Sequence, residues 1–306
     1  MRAVSWGIGL ALVGLAVWAV SRSAGALAGA WDAISSAAPG RVGALLVLIA
    51  VTPMFTSVLF WVLTRRYGPL GLGENTALIT SAWLLNYLPL SPGLFGRLAY
   101  LKAVRGIPVG ASARAVIWAN LLSVVAGLLL LITVGAASLG FAGHDPRLIA
   151  ATSAPATAIG VLAWYAWRKK PQPDPEVWRV LAGLAIRYVE LHIWAARYLI
   201  VFSILGVPLS WGGALAVAAV STLASLFPLA PNGLGLREWA VGLVAPLLPA
   251  SLAYSAGVTT PISLSAELIH RGSEVLVAVP LGLAATFWTG AMLRAAIRRA
   301  PAALQG

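Results

Sequence analysis

Long apolar runs recur along the whole chain, and they restrict its fold more than any other feature. A helix of about 17 to 25 apolar residues crosses the hydrocarbon core of a bilayer. With 60% hydrophobic and only 10% charged residues, the chain has no stretch of soluble composition left for a separate domain. We therefore expect an all-α polytopic membrane protein in which residues 1–306 form a single integral membrane domain. The predicted spans lie at about 4–20, 42–63, 112–141, 147–167, 180–205, 250–270 and 273–293.

Two motifs rich in proline and glycine interrupt the apolar sequence. Residues 89–97 read PLSPGLFGR, and residues 228–237 read PLAPNGLGLR. Proline lacks a backbone N–H and disfavours helix in the residue before it, so each motif ends a helix and lets the chain turn. This pattern predicts a helical bundle with two proline-broken re-entrant hairpins. Each motif separates an apolar segment from a helix too short to cross the bilayer, at 71–88 and 94–104 in one case and at 209–227 and 236–247 in the other.

The net charge of +12 arises from basic residues that gather in short loops. By the positive-inside rule, Arg65 with Arg66, Lys102 with Arg105, and the cluster 168–170 mark the cytoplasmic side. The first two clusters share a side only if the hairpin between them enters and leaves on one face. The cations therefore indicate topology and contact with anionic lipid headgroups, and we expect no nucleic-acid partner.

The two motifs, and the prolines that precede them, recur at the same separation along the chain. Pro89 and Pro228 are 139 positions apart (228 − 89), and so are Pro69 and Pro208 (208 − 69). Three predicted spans lie between matching points, and an odd number inverts the second copy. The spacing predicts an inverted repeat with a substrate site near the midplane, between broken helices. Chance recurrence of proline and glycine is the alternative.

The predicted repeat has halves at about 42–167 and 180–293. Strict inversion leaves the C-terminus outside the cell. The positive-inside rule instead favours the cytoplasm for Arg294, Arg298 and Arg299, so the side of the C-terminus stays open.

An arginine follows each motif near the start of the next helix. The first residues of a helix present free N–H groups and a partial positive charge, so Arg97 and Arg237 each strengthen an anion-binding position. We expect both to bind headgroup anions, with Glu238 balancing Arg237 or contacting a cationic headgroup. Snorkelling of the arginines to the interface is the structural alternative. Hydrogen bonds at the breaks would come from Asn86 and Asn232, and from the backbone around Pro89, Pro228 and Gly233.

Ionisable residues also occur within predicted spans, where charge is costly and marks candidate functional positions. Arg187 and Glu190 are three residues apart and share a helical face, unless they lie at a helix end. A second face carries residues spaced 0, 3, 4 and 7 positions apart, unless this stretch is a loop between two spans: Glu267, His270, Arg271 and Glu274. We expect the substrate to be bound by Arg187, Glu190, Glu267 and Arg271.

Enzymatic chemistry has little support in the sequence. With three histidines and no cysteine, we expect no His/Cys metal site. No GxxxxGK[ST] loop is present, so direct use of ATP is not expected. The three aspartates lie in predicted loops, whereas a metal-assisted transferase needs several acidic residues on one side. We expect a protein that is not an enzyme and uses no cofactor.

At the two motifs the chain resembles the lysylphosphatidylglycerol synthase transmembrane-region family of flippase-like membrane proteins. LFPLAPNGLGLRE at 226–238 is similar to the proline–glycine–glycine–Arg-Glu signature of that family. NYLPLSPGLFGR at 86–97 is similar to its first signature, although Leu94 stands where an acidic residue is usual.

The resemblance implies transport of a charged or glycosylated lipid between leaflets, without ATP, in the inner (cytoplasmic) membrane of a prokaryote. The partners would be membrane lipids, anionic or glycosylated, and a homo-oligomer is left open. The alternative from another class is an integral-membrane enzyme or enzyme subunit acting on polyprenyl-phosphate-linked sugars or lipid headgroups. A third interpretation is a structural partner that recruits a synthase.

Overall fold

The computed structural model of the protein describes residues 32–87, 92–141, 145–168, 176–226, 233, 235–249, 252 and 257–299. Within these ranges the chain is helical and contains no strand, which confirms the predicted all-α class for this part of the protein. Two short 3-10 turns also occur. Arg65–Tyr67 directly follows the helix Pro39–Thr64, and Ala245–Leu247 directly follows the helix Leu236–Val244. The helices are α1 (Pro39–Thr64), α2 (Leu72–Leu85), α3 (Pro92–Arg105), α4 (Val109–Ser138), α5 (Pro146–Arg168), α6 (Glu176–Ile204), α7 (Trp211–Ser225), α8 (Leu236–Val244) and α9 (Thr260–Arg299).

The described helices include four that are long and apolar enough to cross a bilayer, by length and composition. They are Pro39–Tyr67, Val109–Ser138, Pro146–Arg168 and Thr260–Ala295. This is the character of a polytopic helical membrane protein, as predicted. α6 is also 29 residues long, but its charged residues keep it out of that group. The predicted span 4–20 lies outside the described residues.

The two spans predicted at 250–270 and 273–293 are wrong as separate elements. From Thr260 to Arg299 the chain forms one helix of 40 residues, about 60 Å long at 1.5 Å per residue. Gly272 lies within this helix. A single glycine lowers helix stability by only about 1 kcal/mol, so it does not have to end the helix. Pro280 lies within it as well. Charged residues between two apolar runs looked like a loop, yet they belong to a continuous helix that exceeds the thickness of the apolar core.

α6 is the central helix of the bundle, and it packs against α1, α4, α5, α7 and α9. Its side chains Tyr188, Tyr198 and Phe202 are fully buried. α7 offers small side chains to its neighbours, and a Cβ added at Gly213 would lie 2.5 Å from the carbonyl oxygen of Leu252. Small residues of this kind let helices approach closely in a membrane.

Glycine also sets the contact between α2 and α9. A Cβ added at Gly282 would lie 2.3 Å from the Cβ of Leu84. α2 therefore lies directly on the long helix α9, just before the chain reaches the first proline motif.

Candidate functional site

Arg237 joins three helices at the centre of the bundle. It is the second residue of α8, and its side chain is only 2% exposed. Its Nη2 lies 2.8 Å from Oε1 of Glu267, and its Nη1 donates to Oε2 of Glu274 at 3.1 Å. Its Nε donates to the hydroxyl of Ser221 at 3.0 Å. One guanidinium therefore connects α7, α8 and α9.

Glu274 is shared by arginines from three helices. Its Oε1 forms an ion pair with Arg197 of α6, while its Oε2 contacts Arg237 of α8. The guanidinium of Arg271, one turn earlier on α9, lies 3.6 Å from the same Oε2. Because removing one partner of a buried ion pair costs about 3–5 kcal/mol, such charges persist only when they are paired. We call the following side chains the central charge cluster: Arg197, Arg237, Glu267, His270, Arg271 and Glu274.

Aromatic rings enclose the central charge cluster. The ring of Trp194 lies 4.6 Å from the guanidinium carbon of Arg197 and 4.8 Å from that of Arg237. The hydroxyl of Tyr198 donates to Glu267 at 2.5 Å, and its ring stacks on His270 at 4.6 Å. Nη2 of Arg237 lies 3.1 Å from Nδ1 of His270. A guanidinium can only donate, so Nδ1 is the acceptor in this contact.

A cavity of about 230 Å³, which we call the central cavity, opens beside this cluster. Trp83 and Trp194 form part of its wall, and Asn86 lies at its edge from the end of α2. An apolar wall with a few convergent charged groups is typical of a small-molecule site. Three arginines and two glutamates line it, a net charge of +1 (3 − 2): Arg187, Arg197, Arg237, Glu190 and Glu274.

Arg187 and Glu190 form a second ion pair on the wall of the central cavity. Thr56 of α1 donates to Oε1 of Glu190 at 2.8 Å. Both charged residues lie near the middle of the 29-residue α6, so the alternative of a helix-end position is wrong. The Arg187 side chain remains 16% exposed, which leaves it reachable from the cavity.

The first predicted arginine lies elsewhere. Arg97 is 4% exposed on α3, and its guanidinium carbon lies 3.8 Å from the centre of the Phe60 ring. It is not among the described residues that line the central cavity, whereas Arg237 is. The two arginines therefore do not meet in that cavity, and a headgroup role for Arg97 stays a prediction.

The residues expected at the chain breaks are only partly described. Asn86 ends α2 with its backbone N–H bonded to the carbonyl of Ala82 at 2.9 Å, and it lines the central cavity. Gly233 adopts φ 68°, where a side chain would be strained, and a Cβ there would lie 2.7 Å from the Cα of Ser225. Three predicted residues lie outside the described ranges: Pro89, Pro228 and Asn232.

Glu238 does not form an ion pair with Arg237, so that part of the prediction is wrong, and its expected contact with a cationic headgroup stays a prediction. Oε1 of Glu238 lies 3.5 Å from Nε of Arg271, while the ion-pair partners of Arg237 are Glu267 and Glu274. Neighbouring residues of a helix point in different directions, so two adjacent charges face different partners.

The predicted charged face of the last helix is confirmed. The alternative of a loop between two spans is wrong, because the stretch is helical and its charged side chains are all buried. Their exposed fractions are 0%, 0%, 6% and 3% for Glu267, His270, Arg271 and Glu274.

Sequence reasoning missed several members of the site. Arg197 and the rings of Trp194 and Tyr198 were not among the expected binding residues, although a signal for them exists. With Arg187 and Glu190 they follow a spacing of 0, 3, 7, 10 and 11, which places all five on one helical face. Ser221 and Thr56 had no such signal, because small hydroxyl residues are common in apolar helices.

No family model, curated protein or solved structure matches the chain. In the part of the chain that the structure describes, no three His, Asp or Glu side chains form a group able to hold a metal ion. The functional interpretation therefore depends on the geometry of the central cavity and of the helices around it.

Proposed function

We propose that the protein is a membrane lipid transporter that moves an anionic or glycosylated lipid between leaflets without ATP. The observation that carries this proposal is the central cavity, where Arg187, Arg197 and Arg237 face two glutamates beside aromatic walls. Guanidinium groups bind phosphate through paired hydrogen bonds, so a phosphate-bearing headgroup fits the chemistry of this wall.

The size of the cavity supports a headgroup as the bound part. A volume of about 230 Å³ corresponds to roughly eight waters at about 30 Å³ each. That is enough for a phosphate with a small polar substituent, but two acyl chains would not fit. In this mechanism the headgroup passes through the cavity while the acyl chains remain in the surrounding lipid.

Helix boundaries support an inverted repeat around the cavity. α2 begins at Leu72 and α7 at Trp211, 139 positions later (211 − 72). α3 ends at Arg105 and α8 at Val244, again 139 positions later (244 − 105). The order of a long helix, two short helices and another long helix therefore occurs twice, as α1–α4 and as α6–α9.

Helix packing supports the same relationship. α2 packs on α9, and its counterpart α7 packs on α4. α1 packs on α9, and its counterpart α6 packs on α4. The two equivalent long helices, α1 and α6, pack on each other. Exchanging the two halves thus reproduces these contacts, as expected of a two-fold repeat.

In this proposal the short helices α2–α3 and α7–α8 are two re-entrant hairpins that meet near the midplane. Broken helices at membrane depth are tolerated where protein or a water-filled cavity surrounds them. Rocking one repeat against the other would open the central cavity to each leaflet in turn. The transport would then require no nucleotide.

Leaflet exchange in liposomes tests the proposal. Purified protein would be reconstituted with a fluorescent phosphatidylglycerol, and dithionite quenching would report how much label reaches the outer leaflet. We expect quenching beyond the outer-leaflet fraction with the wild type, and at least a tenfold slower phase with Arg187→Gln. Arg187 suits this test because its side chain is 16% exposed, against 1% for Arg197 and 2% for Arg237, and its partner Glu190 keeps the hydrogen bond from Thr56.

Arg114→Gln is the matched control, since it removes an equal charge from an exposed position outside the cavity. It should exchange lipid at the wild-type rate. If protein-free and protein-containing liposomes behave alike across anionic and glycosylated lipids, and the protein alone transfers a sugar or aminoacyl group, the enzyme alternative would replace the transporter.

A further inference from the structure

Glu274 lies between two arginines on the wall of the central cavity. Its two carboxylate oxygens each contact an arginine, Arg197 at Oε1 and Arg237 at Oε2. All three side chains line the cavity. The carboxylate therefore sits where the oxygens of a phosphate diester would bind between two guanidinium groups.

We propose that the transporter takes up one proton together with each anionic headgroup that it binds, with Glu274 as the proton acceptor. When the headgroup binds between Arg197 and Arg237, it displaces the carboxylate of Glu274 from both. The carboxylate then takes up one proton, and it releases that proton when the headgroup leaves. This inference rests on the proposed function, and it names the ion coupled to transport.

The proton has a physical reason to bind. Glu274 is 3% exposed. A buried carboxylate that loses its counterions carries a large desolvation cost, and protonation removes that cost by making the group neutral. The balance is simple: one carboxylate and one proton from the aqueous phase form one carboxylic acid as one anionic headgroup enters. The charge of the occupied cavity is then the same as that of the empty cavity.

Several other charged or titratable groups face Glu274. Arg197 comes from α6, Arg237 comes from α8, and Tyr87 follows the end of α2. Glu238 of α8 lies against Arg271, which in turn contacts Glu274. On α1, Thr52 accepts a hydrogen bond from Arg197, and its hydroxyl does not titrate. On α3, Tyr100 contacts α9 at Met292. On α9 itself the nearby groups are Glu267, His270 and Arg271.

Two of these groups define competing outcomes. Arg271 lies 3.6 Å from Oε2 and could hold the displaced carboxylate as an ion, in which case no proton is taken up. His270 accepts a hydrogen bond from Arg237 through Nδ1 and could take the proton in place of Glu274 when that arginine turns to the substrate. The proton count and its loss in a Glu274 variant separate these cases.

Proton uptake makes anion binding depend on pH with a known sign. If one proton binds with each anion, affinity rises as the pH falls, by about tenfold per pH unit while Glu274 is ionised in the empty protein. By the same linkage, the bound anion favours protonation of the site. A proton gradient could then drive the lipid in one direction.

Titration calorimetry of the full chain in detergent tests the proposal. The probe is a short-chain phosphatidylglycerol, whose phosphodiester keeps one negative charge between pH 6 and 8. Measuring the binding enthalpy in buffers of different ionisation enthalpy counts the protons taken up. We expect about one proton per bound lipid for the wild type, and about none for Glu274→Gln, whose affinity should not change with pH.

Glu74→Gln is the control, because it also removes a buried carboxylate, but one paired with Arg105 away from the cavity. It should retain the proton uptake. Wild-type binding without proton uptake would overturn the proposal, whether or not the variants fold. Uptake that persists in Glu274→Gln would overturn the assignment to Glu274. Leaflet exchange that is unaffected by pH would remove proton coupling and leave transport standing, whereas the absence of any exchange would remove transport itself.

Discussion

The guanidinium of Arg237 lies 2.8 Å from the carboxylate of Glu267, and the two side chains are 2% and 0% exposed. The pair links the short helix α8 to the long helix α9, 30 residues further along the chain (267 − 237). Because neither group reaches solvent, each depends on the other for compensation of its charge. The stability of this interface is therefore open to a direct test.

We expect Glu267→Gln to lower the free energy of unfolding by about 3–5 kcal/mol, since it leaves part of a buried arginine uncompensated. Thermal unfolding in detergent or equilibrium unfolding in mixed micelles would measure the loss. Glu74→Gln should cost less, because its partner Arg105 is 31% exposed and can be hydrated. Equal losses at the two sites would contradict the buried geometry around Arg237.

The partner of Glu238 can be identified by a double-mutant cycle. Glu238→Gln combined with Arg271→Gln should show a coupling energy of about 1–3 kcal/mol, because the two groups lie 3.5 Å apart in a buried setting. Glu238→Gln combined with Arg237→Gln should show a smaller one, since the ion pairs of Arg237 are with Glu267 and Glu274. The reverse order would restore the pairing of adjacent residues that the sequence suggested.

Close packing of α2 on α9 predicts opposite effects at two glycines of one helix. Gly282→Ala should destabilise by about 1–3 kcal/mol, because its Cβ would lie 2.3 Å from the Cβ of Leu84, which cannot move without its backbone. Gly272→Ala should stabilise by up to about 1 kcal/mol, because nothing lies within 4 Å and alanine favours the helix. Melting temperatures of the two variants provide the measurement.

Single cysteines can test whether α2 and α3 form a re-entrant hairpin, because the chain contains no cysteine of its own. Gly71→Cys and Gly110→Cys flank the hairpin at open positions with nothing within 4 Å. Both should react with a membrane-impermeant maleimide from the same side. Gly40→Cys, at the other end of α1, should react from the opposite side. Labelling of positions 71 and 110 from opposite faces would exclude re-entrance.

The helices and their breaks were predictable from sequence because they depend on local chemistry. Apolar runs predicted α1, α4, α5 and α6 to within a few residues, since run length and hydrophobicity decide what can be helical in a bilayer. Proline and glycine marked the ends of α2 and α7 for a similar reason, as they act on the backbone where they stand. Gly272 does not end a helix, and the two spans predicted on either side of it form one helix.

The shared face of Glu267, His270, Arg271 and Glu274 was also predictable, since helical periodicity depends only on spacing. Tertiary structure decided which charges meet. Arg237 is adjacent in sequence to Glu238, yet it pairs with two glutamates of α9, because adjacent helical residues point apart and only packing brings α8 onto α9. Packing likewise brought Arg197 to Glu274 across 77 residues and left Arg97 outside the central cavity. A buried charge is stabilised by whatever partner lies within a few ångströms, and that distance is a property of the assembled helices rather than of the sequence order.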